Sequence, residues 1–167
     1  MAYANRFTAA DNLITQLSPI IAAVADPNVL VSYAGFLSVS AITVYEMAIK
    51  DVFIDFSVKK NTVFGLFIEK HLSRLNGRIM LGELRGTHIK PFGEKYLKRF
   101  DVEFQRRETA SLAGAPSVSL TSQYNNLILC RHQFVHNGSP TLTVNEVISC
   151  YNQGKEIIHC LDFAMRR

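Results

Sequence analysis

Two histidines and an arginine crowd one short stretch of this chain, Arg131-His132-Gln133-Phe134-Val135-His136-Asn137-Gly138. An apolar stripe leads into it through Tyr124, Leu127 and Ile128. The next helical step falls on Arg131, and the stripe resumes at Phe134 and Val135. A guanidinium keeps its charge at physiological pH, so at that place it needs a carboxylate, a water-filled cleft or an anionic ligand. His136 follows five residues on, about 140° round a helix and one turn further along, so the two border one groove. An imidazole, with an ordinary pKa near 6.5, can take or return a proton at neutral pH. An obligate cation beside such a group is what phosphodiester cleavage requires.

The same residues admit other readings. His132 and His136 have the i, i+4 spacing of the His-Glu-x-x-His zinc proteases, but Gln133 stands where the general base would be. His159 and Asp162 are then the remaining candidates for a third ligand. Alternatively the stretch is structural, with Arg131 paired to a carboxylate such as Glu46 and His136 at a helix C-terminus, where positive charge is favourable.

The elements that must position these residues read as helices. Residues 9–25 carry Leu13, Leu17, Ile20, Ile21 and Val24 on one face, ending at Asp26-Pro27-Asn28. A long helix over 29–58 follows, through Leu30, Ala34, Leu37, Ala41, Val44, Ala48 and Val52. Residues 62–75 form a third, stopped by Asn76-Gly77. Residues 78–91 read as irregular, 92–107 as a basic fourth helix, and 109–119 as a mobile loop rich in Ala, Ser, Gly and Pro. The motif helix spans 120–136 and is closed by Asn137-Gly138. Thr143-Val-Asn-Glu146 is a capping box that opens the last helix. Strand signals are weak throughout, so the class is all-α: one domain over 1–167, an up-and-down bundle of about five to six helices.

Composition bounds the setting. The chain has 167 residues, of which 48% are apolar, enough for one well-filled core. Its longest apolar run, Val29 to Ile49, is interrupted by Ser32, Ser38, Ser40, Thr43 and Glu46, so it reads as a buried amphipathic helix rather than a bilayer span. Met-Ala-Tyr-Ala-Asn-Arg lacks the layout of a secretion signal, which points to the cytoplasm. Cys130, Cys150 and Cys160 show no CxxC spacing and read as buried, reduced thiols. The net charge is +4, and between Glu69 and Arg107 ten Lys or Arg face five Asp or Glu. That excess can attract a polyanion, or be the solvated face of helices.

Arg-x4-His at the end of the penultimate helix, a polar residue after the Arg and an Asn-Gly turn together resemble the HEPN domain family (higher eukaryotes and prokaryotes nucleotide-binding). Within it they resemble the RiboL-PSP-HEPN-like bacterial ribonuclease and toxin branch. Ala41-Ile-Thr-Val-Tyr-Glu46-Met-Ala-Ile-Lys50-Asp51 is similar to the family's early helix, with its acidic residue among apolar ones, and 127–162 to its final helix pair. About half of the chain is covered in this way. The family's commonest residue after the Arg is Asn, where this chain has His132. A branch regulated through a Tyr two residues after the His has Gly138 here instead.

The resemblance implies a metal-independent endoribonuclease without a cofactor. In it the RNA 2′-OH attacks the adjacent phosphorus, leaving a 2′,3′-cyclic phosphate and a 5′-hydroxyl. Arg131 would hold the phosphate, His136 move the proton, His132 orient the phosphate or share the proton work, and Glu46 and Asn137 support them. It further implies a homodimer with the motifs facing each other across a two-fold axis, and an antitoxin or defence-system partner. On that reading Lys95, Lys98 and Arg99 of the basic helix track the RNA backbone. The rivals are a non-catalytic helical module binding a protein, nucleotide or RNA, and a structural subunit whose basic patch is incidental.

Overall fold

Asp26 decides where the longest helix begins: its carboxylate accepts from the Asn28 amide at 2.8 Å, and Pro27 occupies the first helical position. The computed structural model describes residues 3–75 and 78–166; the stop expected at Asn76-Gly77 lies outside them. Its helices are α1 (Ala4–Ala22), α2 (Pro27–Lys60), α3 (Thr62–His71), the single turn α4 (Leu81–Glu83), α5 (Glu94–Ala113), α6 (Leu120–Asn137) and α7 (Val144–Met165). No strand occurs among the described residues. The all-α bundle expected from periodicity is the fold.

α2 is the hub, packed against α1, α3, α6 and α7. It has the length and mean hydropathy, 1.4 over its best 18-residue window, of a membrane-crossing helix. Here, though, Ala34, Leu37, Ala41, Tyr45, Ala48, Ile49 and Phe53 face the core that those neighbours share. At its centre Tyr45 lies between Tyr124 of α6 and Tyr151 of α7, each ring centre 5.7 Å away and nearly parallel. All three hydroxyls donate to backbone carbonyls, Tyr45 to Tyr151, Tyr124 to Ile79 and Tyr151 to Phe7. Each tyrosine is thus a fully buried strut whose polar tip is satisfied. Burial lifts all three phenols well above their ordinary pKa near 10. Gly154 leaves room for Tyr45, since a Cβ there would lie 2.5 Å from its oxygen.

The register of the bundle sets which helix ends lie together. Gly35 meets Phe134, and Tyr45 meets Tyr124, so α2 and α6 run antiparallel. α6 and α7 are antiparallel too, joined by a short connection and by Cys150 Sγ donating to Gln123 Oε1. α5 covers the C-terminal half of α7, through Arg99 to Phe163 and Arg107 to Glu156. α6 takes over along its N-terminal half. α5 and α6 therefore follow one another along α7, and their far ends lie at opposite ends of the bundle.

Several expectations shift. α1 begins at Ala4 rather than Ala9, because Tyr3, Phe7 and Ala10 form one buried face. Residues 78–91 are not irregular: α4, a π-helical turn over Leu84–Ile89 and a 3-10 turn over Lys90–Phe92 follow in succession. Ile79, Leu81, Leu84 and Ile89 are buried there; the wider π turn brings Leu84 and Ile89 to one side, a spacing that a 3.6-residue period hides. Nor is 109–119 a free loop. α5 runs on to Ala113, and the rest is tied by Ser111 to Val118 and by Glu108, which accepts from Ser119 Oγ and the Leu120 amide. Cys130, Cys150 and Cys160 are free and buried.

Glu103 is a buried carboxylate, 6% exposed, accepting from Arg106 and Arg107. The hydrogen bond from Arg106, then that from Arg107, hold it far below the ordinary carboxylate range, at about 2. A depressed folded-state pKa gives stability that is present above the unfolded value and is lost as pH falls through the folded one. Melting temperature should therefore fall between about pH 4.5 and 2. Glu103→Gln should cost about 1.5–3 kcal/mol at neutral pH, with the gap to wild type closing across that window. A gap that stays constant down to pH 2 would rule this out.

Candidate active site

α6 is capped at both ends by contacts close by in the sequence. Ser119 Oγ accepts from the Ser122 amide, and Glu108 accepts from the Leu120 amide. At the other end Gly138 turns left-handed with φ 70°, and its N–H donates to the Phe134 carbonyl at 2.9 Å. The Asn-Gly stop is thus a glycine cap, and Asn137 uses its side chain otherwise, donating Nδ2 to Gln133 Oε1 at 2.6 Å. The capping box of α7 forms as expected, with the Thr143 amide donating to Glu146 and the Glu146 amide to Thr143 Oγ1.

What seats the end of α6 on α2 is Phe134, whose ring lies over Gly35 so closely that a Cβ there would fall 2.1–2.4 Å from it. Gly35 lies outside the motif, on α2. Its signal was a glycine inside an otherwise strong helix, a costly choice unless a neighbour needs the room.

Arg131 is half-buried beside this contact. Arg6 pairs with Asp51, Arg107 with Glu103 and Glu156, and Arg99 with backbone carbonyls. Among the described residues no hydrogen bond or ion pair engages Arg131. The expected partner Glu46 is not at its level. Tyr45 faces Tyr124, so Glu46 sits about two turns, roughly 10 Å, before Arg131 along α6. There its charge acts on the Tyr124 phenol.

His132 and His136 are both exposed, and their rings touch, with centres 4.3 Å apart and planes tilted by 53°. Neither makes a hydrogen bond among the described residues. The third-ligand candidates are elsewhere. His159 Nδ1 is bonded to Tyr3 Oη at 2.9 Å, and Asp162 accepts from Arg166, both near the far end of α7. Among the described residues no three His, Cys, Asp or Glu side chains gather as a ligand set.

The basic residues of α5 are not beside the motif either. Arg99 donates to the Arg166 carbonyl at 2.6 Å and the Phe163 carbonyl at 3.1 Å, and its guanidinium lies over the Phe163 ring. It closes the C-terminus of α7, where a cation complements the helix dipole. Lys95 and Lys98 are exposed on the same stretch. α7 has 22 residues, so these three lie roughly 30 Å from His136. Arg99→Ala should lower stability by about 1 kcal/mol, in line with a lost cap. Equal melting temperatures of variant and wild type would refute the capping role.

An apolar cavity of about 650 Å³ opens at the motif's end of the bundle, lined by Ile21, Leu30, Ala34, Pro140, Leu142 and Ile148 among others. It borders the connection that leaves the Gly138 cap. Around the motif Phe36, Leu129 and Val135 stand half-exposed to solvent.

A family model described as RiboL-PSP-HEPN matches residues 2–165, nearly the whole chain. No curated protein and no solved structure matches it.

Proposed function

The chain belongs to the RiboL-PSP-HEPN family, and from that premise we propose that it is an endoribonuclease working without a metal ion, with Arg131 and His136 as its catalytic residues. The observation that supports this best is Arg131 itself, a half-buried guanidinium that no carboxylate engages among the described residues. Such a charge is left available for an anion, and an RNA phosphate is the anion whose cleavage the adjacent imidazoles can serve.

In this reading Arg131 holds the non-bridging phosphate oxygens as negative charge builds on them. His136 takes the proton of the 2′-OH, the 2′-oxygen forms its bond to phosphorus, and the bond to the 5′-oxygen breaks. A second acid returns a proton to that leaving oxygen, giving 2′,3′-cyclic phosphate and 5′-hydroxyl ends. In-line displacement wants base and acid on opposite sides of the phosphorus. His132 and His136 touch each other and so face a phosphate from one side. The acid then comes from a second copy of the chain, across a two-fold axis that brings both motifs to one cleft. Phe36, Leu129 and Val135, half-exposed at this surface, supply apolar area that such an interface buries. A role as toxin or phage-defence effector fits a chain of this kind.

End-labelled RNA incubated with the protein in EDTA tests the reading. Cyclic-phosphate ends that appear with wild type and vanish in both Arg131→Ala and His136→Ala support it. A folded, dimeric wild type that cuts nothing favours the rival reading, a module that binds RNA, nucleotide or protein through the same surface.

A further inference from the structure

His132 and His136 are the two histidines whose rings touch among the described residues, at 4.3 Å between centres. Each of the others has a different neighbour: His71 stacks on Phe67, His88 Nε2 meets the Arg78 carbonyl, and His159 bonds Tyr3. The pair stands one helical turn apart on α6, a helix anchored by Phe134 on one side and the Gly138 cap on the other. Both rings are exposed and neither is hydrogen-bonded among the described residues, so no protein group has to leave before their nitrogens can bind.

The spacing fits one ion. With metal–nitrogen bonds of about 2.0–2.1 Å and angles of 90–110°, two imidazoles sharing an ion place their ring centres roughly 4.5–5.2 Å apart. The observed separation is within about 1 Å of that range, a change that small χ adjustments of exposed side chains supply. The chemistry of the donors selects the ion. Imidazole suits nickel, copper and zinc, whereas magnesium and calcium want oxygen ligands and negative charge. The guanidinium of Arg131 next in sequence further disfavours ions held by charge alone. Water completes the coordination, since no third protein ligand is gathered here among the described residues.

We propose that His132 and His136 form a two-imidazole site for a borderline divalent transition-metal ion, and that filling it switches off RNA cleavage. The second half rests on the ribonuclease reading. A bound ion occupies the lone pair with which His136 accepts a proton, and an imidazole so engaged cannot act as a base. The metal is here an inhibitor of a reaction that does not need it.

Titration of the whole chain with nickel chloride in chelator-free buffer tests the site without reference to catalysis. One saturable equivalent per chain is expected, with affinity reduced at least tenfold in His132→Asn and in His136→Asn alike. Both positions are exposed, and unchanged helical circular dichroism and melting temperature verify that the variants are folded. Affinity equal to wild type in either variant, or no saturable binding, overturns the site. The same nickel series added to a cleavage assay should stop wild-type cutting at the binding midpoint, and EDTA should restore it. Cutting that continues at full occupancy overturns the inhibitory role. A chain that binds nickel through both histidines but cuts no RNA in EDTA sinks the ribonuclease reading and keeps the site. A chain that cuts in EDTA but binds nickel regardless of His132 does the reverse.

Discussion

His136→Ala should lower RNA cleavage in EDTA by about 10²–10⁴-fold, the usual effect of removing a general base or acid. Its melting temperature should hardly move, because the ring is exposed and makes no hydrogen bond among the described residues. Binding of RNA should persist, since Arg131 still carries its charge. Arg131→Ala should cost about 10²–10³-fold in rate, as loss of a donor to a developing oxyanion does, and should weaken RNA binding as well. Arg131→Lys keeps the charge but loses the two-pronged geometry, so only partial recovery is expected. If RNA-binding chains are mixed so that each dimer carries one His136→Ala and one Arg131→Ala copy, the cleavage rate reports whether both motifs serve one cleft. Wild-type rates in the single His136→Ala variant would end the assignment.

Gly35→Ala should do its damage from outside the motif. Its new methyl would fall 2.1–2.4 Å from Phe134 ring carbons, and neither helix can retreat without opening the core between Leu37, Tyr45, Tyr124 and Leu127. Overpacking of this kind costs about 1–3 kcal/mol. Because Phe134 lies between Arg131 and His136 in sequence, displacing it moves both, and misplacement of about 1 Å can cost on the order of 10²-fold in rate. Gly35→Ala should therefore lose both stability and cleavage. Adding Phe134→Leu, which shortens the side chain, should return part of each, a coupling that a double-mutant cycle measures. Gly86→Ala is the contrast: nothing lies within 4 Å of its Cβ, so stability should stay near wild type. Additive losses for Gly35→Ala and Phe134→Leu would mean the two residues do not share one contact.

Much of this molecule is written in short-range chemistry. The 3.6-residue apolar period is carried by each helix alone, and so the motif helix, the long α2 and the final helix were legible within a few residues. The Thr143–Glu146 box and the Gly138 cap satisfy amides and carbonyls of their own helix ends, and residue types suffice to read them. Arg131, His132 and His136 on one helix follow from the same period. Where a side chain meets a partner from another helix, the period is silent, because a slide of one turn preserves every apolar face and changes every neighbour. That is why Glu46 lies about two turns from Arg131, and why the period alone does not show that Arg99 closes the end of α7. It is also why Gly35 could be seen as a glycine but not as the seat of Phe134. Helical period and residue type suffice for an all-helical chain with a cation and two imidazoles on one helix end. Tertiary packing alone decided that the cation has no carboxylate among the described residues, since only the register between α2 and α6 sets which charges come within reach.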